Sequence, residues 1–346
     1  MIPHSRPTIT DEDVAGVVEQ LRSGMLAEGE AAARVESWFA AHGAAAGAVA
    51  VGSGCQGLLL ALRALGVRAG DEVILPTLVC PEVWSVVDWC GAKAVVVDVD
   101  EDYLLSLEAA RAALSPRTRA IILPYVLGIH RDPAPLRSLG VPVLEDCAQY
   151  LDPARMAGAL LGDAVVYSFE ATKVLAAGEG GLVLTRRDDV ARALRAAKRC
   201  GKSGGKLNLF PLSDLQARLA LTQLGQIDAF LARRRTLAQR YLAAFEGHPS
   251  IAVPHAVRTA SMFFRLPLQM RAGGKEEVDA LIERCAARGV SVRRPVDRLV
   301  HRLPGVRAQC LVAEDLHART FSVPLYPALS DEDAQAVVRA VLDSLP

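Results

Sequence analysis

Seven short apolar, β-prone runs between positions 48 and 185 constrain this chain more than any other feature. They cover residues 48–51, 72–75, 94–97, 120–123, 141–144, 164–169 and 182–184. Most are continuously apolar, not alternating, so both faces of each strand must be covered. Between several of them lie helix-like stretches, such as 56–65 and 106–114. Strands alternating with helices predict a largely parallel sheet with helices on both sides.

Beyond the last run the pattern changes. Residues 187–246 read as long helices. Ser213 opens an S-x-x-Q capping box, and the stretch from it to Phe245 has helical apolar spacing and no proline. Pro249 and Pro254 mark a boundary. The remainder predicts a smaller α/β unit: a strand at 263–270, a helix at 275–288, strands near 290–293 and 321–324, and a closing helix from Ser330. A chain of 346 residues is long enough for two domains. The expected division is a large domain over 1–246 and a small one over 247–346.

Composition narrows the function. Lysine plus arginine equal aspartate plus glutamate at 39 each. That balance disfavours a nucleic-acid binder or a polybasic membrane-surface protein. No apolar run reaches the ~18 residues of a spanning helix, and the first residues lack the apolar core of a signal peptide. The expectation is a cytoplasmic protein. Seven cysteines, an odd number with no C-x-x-C, predict reduced thiols and no zinc site.

In open parallel sheets, ligands bind beyond the carboxyl ends of the strands. After Val51 comes Gly52-Ser53-Gly54-Cys55-Gln56-Gly57, then an apolar helix. Such a turn exposes backbone N–H groups at a helix N-terminus and suits a phosphate, though a tight turn of small residues explains it equally. After Leu144 comes Glu145-Asp146, either a carboxylate ready for a cationic nitrogen or a helix N-cap. After Phe169 comes Glu170-Ala171-Thr172-Lys173. Lys173 is one of only six lysines and the only one just past a predicted core strand. Partial desolvation there favours a neutral, nucleophilic amine; the plainer reading is a surface lysine. Together an anion cradle, an acid and a nucleophilic amine on one sheet edge match pyridoxal phosphate (PLP), which presents a phosphate, a pyridine nitrogen and an aldehyde.

These residues resemble the DegT/DnrJ/EryC1/StrS family of sugar aminotransferases, PLP enzymes of fold type I. Ser23-Gly24-Met25-Leu26-Ala27-Glu28-Gly29, Gly70-Asp71-Glu72-Val73-Ile74-Leu75-Pro76, Val96-Val97-Asp98-Val99-Asp100 and Glu145-Asp146-Cys147-Ala148-Gln149 are similar to family segments. So are Ser168-Phe169-Glu170-Ala171-Thr172-Lys173 with Gly178-Glu179-Gly180-Gly181, then Ser213-Asp214-Leu215-Gln216-Ala217 and Pro324-Leu325-Tyr326-Pro327. The resemblance implies an α/β fold with a mainly parallel seven-stranded sheet and a smaller C-terminal α/β domain. It implies that Lys173 holds the cofactor and moves the proton, and that Asp146 pairs with the ring nitrogen. Ala148 would lie under the ring and Gln149 would bond its phenolic oxygen. Ser168, with the amides of Gly54 and Cys55, would hold the phosphate. The family is usually a homodimer with shared active sites, and Asn208 is the nearest match to a phosphate ligand lent by the second subunit.

Several positions depart from the family pattern. Cys55 stands where a hydroxyl is usual, and Cys80 where an aromatic residue usually stacks on the ring. Trp84 is an alternative stacking residue, or simply helix core. Glu170 either touches substrate or is a solvated strand end. Arg293, Arg294 and His301 either meet an anionic substrate or are surface charges. The implied reaction moves an amino group from L-glutamate or L-glutamine to a keto group of a nucleotide-linked deoxysugar or cyclitol, in cell-surface polysaccharide or natural-product biosynthesis. Two alternatives stay open: a lyase- or desulfurase-like PLP reaction using a mobile Cys310, and a catalytically idle regulatory relative.

Overall fold

The computed structural model describes residues 1–159, 162–198 and 211–345. All seven apolar runs are strands of one sheet: β1 (Gly47–Val51), β2 (Glu72–Pro76), β3 (Lys93–Val97), β4 (Thr118–Pro124), β5 (Val143–Asp146), β6 (Ala164–Ser168) and β7 (Gly181–Thr185). Their spatial order is β1-β7-β6-β5-β4-β2-β3. The neighbours from β6 through β3 pair parallel, while β7 runs antiparallel to both β1 and β6.

The continuous apolarity has a direct cause. Alternate residues of each strand enter different cores. Ala48, Ile74, Ile121, Val165 and Leu182 pack on one face with the helices Glu30–His42 and Asp214–Gly225. Val49, Val73, Ile122, Val166 and Val183 pack on the other with Gly54–Ala64, Pro81–Trp89 and Asp188–Lys198.

A second sheet of three antiparallel strands follows, in the order β10-β9-β8: β8 (Ile251–Ala252), β9 (Leu266–Met270) and β10 (Thr320–Val323). Its core takes Leu237, Tyr241 and Phe245 from the helix Ile227–Phe245, while Ile227 and Leu231 of that helix pack into the large sheet's core. The stretch 213–245, read as helical, is two helices, because Gln226 leaves helical geometry at φ −108° and ψ 2°. Two expectations need correction. Residues 290–293 form no strand; Val290 and Arg293 each make an isolated bridge, to Ile2 and Ser322. The strand expected from 263 starts at Leu266, since Phe263 sits at a left-handed φ of 62° that breaks extended geometry.

The antiparallel β7 sets the geometry of the sheet's working edge. Its first residue, Gly181, lies beside both Val51 at the end of β1 and Ser168 at the end of β6. A Cβ on Gly181 would stand 2.8 Å from the Ser53 carbonyl carbon and 2.9 Å from the Gly54 nitrogen. Only glycine lets the 53–54 turn close onto this edge.

Candidate active site

The helix Gly54–Ala64 starts where β1 ends. Ser53 caps it, its hydroxyl accepting from the Gln56 N–H at 3.2 Å. The first two amides, Gly54 and Cys55, donate to no acceptor among the described residues. They carry the positive end of the helix dipole. Gly54 packs on the partner strand end so closely that a Cβ would meet Ser168 Cβ at 2.9 Å and Oγ at 3.1 Å. Two backbone donors and one hydroxyl therefore share a small space.

The adjacent acids at the end of β5 leave opposite faces of the strand. Glu145 accepts from the Tyr125 hydroxyl and from the Gly162 N–H at 2.6 Å. Burial is the main reason its carboxyl rises to about 7, against which these two bonds work. Asp146 points into the pocket. One of its oxygens accepts from the Ala148 N–H at 3.0 Å, and the other has no partner among the described residues. Burial raises its carboxyl above the ordinary value, opposed by that bond and by the charge of Lys173.

The loop after β6 returns quickly to β7. Ala177 N–H donates to Phe169 C=O at 2.8 Å, Ala171 N–H to Gly178 C=O at 3.1 Å, and Lys173 N–H to Glu170 C=O at 2.9 Å. This fixes the backbone of Lys173 while its amine makes no hydrogen bond or ion pair to a described residue. Glu170 accepts from the Thr172 amide and hydroxyl, so it caps the turn as well as lining the pocket.

Gly54, Cys55, Cys80, Asp146, Ala148, Gln149, Ser168 and Lys173 line a single cavity of about 420 Å³. That size is typical of a small-molecule site, roughly 300–1,000 Å³. Gln149 Oε1 accepts from Leu127 N–H at 2.7 Å, which turns its amide N–H₂ free to donate. The Leu127 backbone is strained to make that bond, with φ at 63°. Cys80 stands before the helix Pro81–Trp89, and burial pushes its thiol up to about 11. It is a protonated, apolar wall at neutral pH.

Other expectations fall elsewhere. Asn208 lies outside the described residues. Trp84 packs against the core beside the helix and does not line the cavity. His301 is held between Thr77 Oγ1 at 2.7 Å and Glu314 at 2.9 Å. Arg294 is bound to Asp279 at 2.8 Å and to the carbonyls of His317 and Ala318. Cys310 is buried in the large core, and burial pushes its thiol up to about 12, so it is no mobile nucleophile. Lining residues that the sequence did not single out include Glu82, Tyr125 and Val126. Tyr125 directly follows β4, and the strand-end rule applied there would have found it.

Could these residues hold PLP? The donor set is right at each end of the cavity. Two unpaired amides and a hydroxyl suit a phosphate, a half-partnered buried carboxylate suits a pyridinium, and a free amine suits an aldehyde. The sheet order and this pocket define a fold-type-I PLP-dependent transferase. The chain belongs to the DegT/DnrJ/EryC1/StrS aminotransferase family, whose pattern matches residues 7–342. It is 34% identical over 383 residues to the spore coat polysaccharide biosynthesis protein SpsC of Bacillus subtilis, covering 99% of this chain and 96% of that one. The aminotransferase TlmJ from Streptoalloteichus hindustanus superposes with a TM-score of 0.89 at 27% identity, over 99% of this chain and 98% of the other. Spr1654 from Streptococcus pneumoniae, solved in a PLP form and a PMP form, shares the fold at a TM-score of 0.90 and 22% identity, over the whole of both chains for the PLP form. The protein is a PLP-dependent aminotransferase. No helix of the described residues is long and apolar enough to cross a membrane.

The buried Glu145 yields a pH prediction. Its native carboxyl titrates at about 7, against 4.5 for an unperturbed group. The native state holds this proton more tightly than the unfolded state. Stability is therefore full below ~4.5 and is lost as pH rises through ~7, by as much as about 3 kcal/mol. Glu145→Gln keeps an oxygen for Gly162 N–H and has no proton to lose. Thermal melts of the variant should be flatter than wild type between pH 5 and 8 and higher at pH 8. A variant whose profile parallels wild type would refute the assignment.

Proposed function

We propose that this aminotransferase moves an amino group from L-glutamate or L-glutamine to a keto group of a nucleotide-linked deoxysugar or a cyclitol. The observation that carries the reading is the cavity that gathers the free Lys173 amine, the half-partnered Asp146 carboxylate and the open N-terminus of Gly54–Ala64. The sugar assignment is supported by the polysaccharide-biosynthesis and sugar-aminotransferase descriptions of SpsC and Spr1654.

In this reading the bound cofactor supplies an electron-withdrawing ring that acidifies the carbon bearing the amine. Lys173 would hold the cofactor through its ε-amine, and its Nζ would carry the proton as general base and acid. Asp146 keeps a proton on the ring nitrogen. Gln149 donates to the phenolic oxygen. Gly54 N–H, Cys55 N–H and Ser168 Oγ hold the phosphate, and Ala148 and Cys80 wall the ring. The working unit is a homodimer.

A two-stage screen tests the reaction. Donors should shift the absorption of the loaded protein from about 400 to about 330 nm. Keto-deoxysugar nucleotides or keto-cyclitols should then restore the first band and appear as amines by mass spectrometry. Restoration by simple 2-oxo acids alone would reject the sugar or cyclitol acceptor.

A further inference from the structure

One buried acid takes no part in the proton transfers. Glu145 stands beside Asp146 on β5 but leaves the opposite face of the strand, and it is wholly buried. One of its oxygens accepts from Gly162 N–H at 2.6 Å, and the other meets the Tyr125 hydroxyl. Tyr125 is itself buried, directly follows β4 and lines the cofactor cavity. Its hydroxyl also lies 3.0 Å from the Arg131 carbonyl, which has no other donor among the described residues.

The hydrogens of this cluster can be counted. A phenol carries one hydrogen, and a carbonyl only accepts. With Glu145 neutral, its O–H donates to the phenol oxygen, the phenol donates to Arg131 C=O, and both bonds form. With Glu145 ionised, the phenol hydrogen goes to the buried carboxylate and the carbonyl loses its donor. The groups facing Glu145 offer the charged form little. Arg186 and Arg137 favour it from a distance, and Arg186 is engaged with the carbonyls of Gly43 and Met156. Cys147 and, on β6, Tyr167 keep their protons because they are buried. Burial of Glu145 outweighs these groups, and the carboxyl titrates at about 7.

The cluster reaches the cofactor through the turn that Tyr125 opens. Gly128 N–H donates to Tyr125 C=O at 3.2 Å, and Ile129 N–H to Val126 C=O at 3.1 Å. In the middle, Leu127 is held at a left-handed φ of 63°, and its N–H meets Gln149 Oε1 at 2.7 Å. Tyr125 begins this turn and its hydroxyl holds the far end, Arg131. We propose that Glu145 is a positioning residue for the transamination: as a neutral acid it lets Tyr125 staple both ends of the 125–131 turn, which keeps Leu127 N–H on Gln149 and aims that amide at the cofactor's phenolic oxygen. The inference rests on the cofactor occupying the first cavity. Ionising Glu145 releases the staple and slows the reaction without removing any group that touches a reacting atom.

Glu145→Gln mimics the neutral acid, since its N–H₂ donates to the phenol and its oxygen accepts from Gly162. The rate of the holoenzyme with an amino donor, expressed as Glu145→Gln over wild type, cancels every ionisation the two proteins share. Measured well below both melting transitions, that ratio should climb roughly threefold to tenfold from pH 6 to pH 8.5, the change expected from losing one hydrogen bond. Its midpoint should fall at about 7. In a Tyr125→Phe background the climb should vanish, because no hydroxyl remains to staple the turn. Infrared difference spectra of the cofactor-free protein, wild type minus Glu145→Gln, should show a carboxylic-acid carbonyl band that fades over the same pH range. A level ratio would overturn the proposal. So would a climb that persists in Tyr125→Phe, which would mean that the charge acts on the cofactor directly, or an acid band already absent at pH 6. Failure to form the 400 nm band would count against the cofactor reading instead, and the infrared titration reads Glu145 without it.

Discussion

Replacing Lys173 with alanine should abolish covalent attachment of the cofactor and lower turnover by about 10⁴-fold, the upper end for a general acid–base group. The large effect follows from two duties falling on one amine. It anchors the cofactor, and among the described residues it is the only lysine that lines the cavity. The backbone bonds from 169 to 180 fix where that amine can reach. Alanine removes the amine without touching those bonds, so the fold should survive. Borohydride treatment of wild type should fix a label on the peptide containing residue 173 and remove the absorption at about 400 nm. Lys173→Arg should also fail to take the label, because guanidinium is a poor nucleophile at neutral pH. A small primary amine added to Lys173→Ala should restore part of the proton transfer. A variant that still takes the label, or works within tenfold of wild type, would refute the assignment.

Much of the large sheet was legible because its strands are buried on both sides. Uninterrupted apolar runs such as 120–123 follow from having a core on each face. Direction was not legible. Residues 182–184 look like any other buried run, yet β7 is antiparallel to its neighbours. Apolarity carries no sense of chain polarity, and the consequence for the site, the crowding at Gly181, emerged only with the register. Residues at strand ends, such as Asp146 and Lys173, could be picked out because a sheet edge is where side chains leave the core. Arg265 could not. Its surroundings, the Phe264 ring and the His4 carbonyl 261 positions away, are neighbours that no local pattern brings together. Arg293 is exposed, whereas Arg294, beside it, is tied up by Asp279.

Asp146→Asn should cut turnover by about 10²–10³-fold while the cofactor still attaches to Lys173. The carboxylate is buried, with a single backbone donor and one oxygen unpartnered, so it favours a positive charge placed against it. A protonated ring nitrogen supplies that charge, and the ring accepts electrons well only while protonated. Asparagine fills the same space but leaves the nitrogen neutral. The site is costly to the fold, and the sign can be worked out. Burial raises the native carboxyl above 3.8, so the native state binds the proton more tightly than the unfolded state. Stability is then full below the unfolded value and falls as pH rises through the native one. Without cofactor, Asp146→Asn should therefore melt higher than wild type at pH 8 and match it more closely at pH 4. With cofactor the order should reverse, because only the carboxylate gains from the cationic ring. Melts of both forms at both pH values, alongside turnover, separate a residue kept for chemistry from one kept for packing. A variant that turns over at the wild-type rate, or that loses stability equally with and without cofactor, would mean that Asp146 does not face the ring nitrogen.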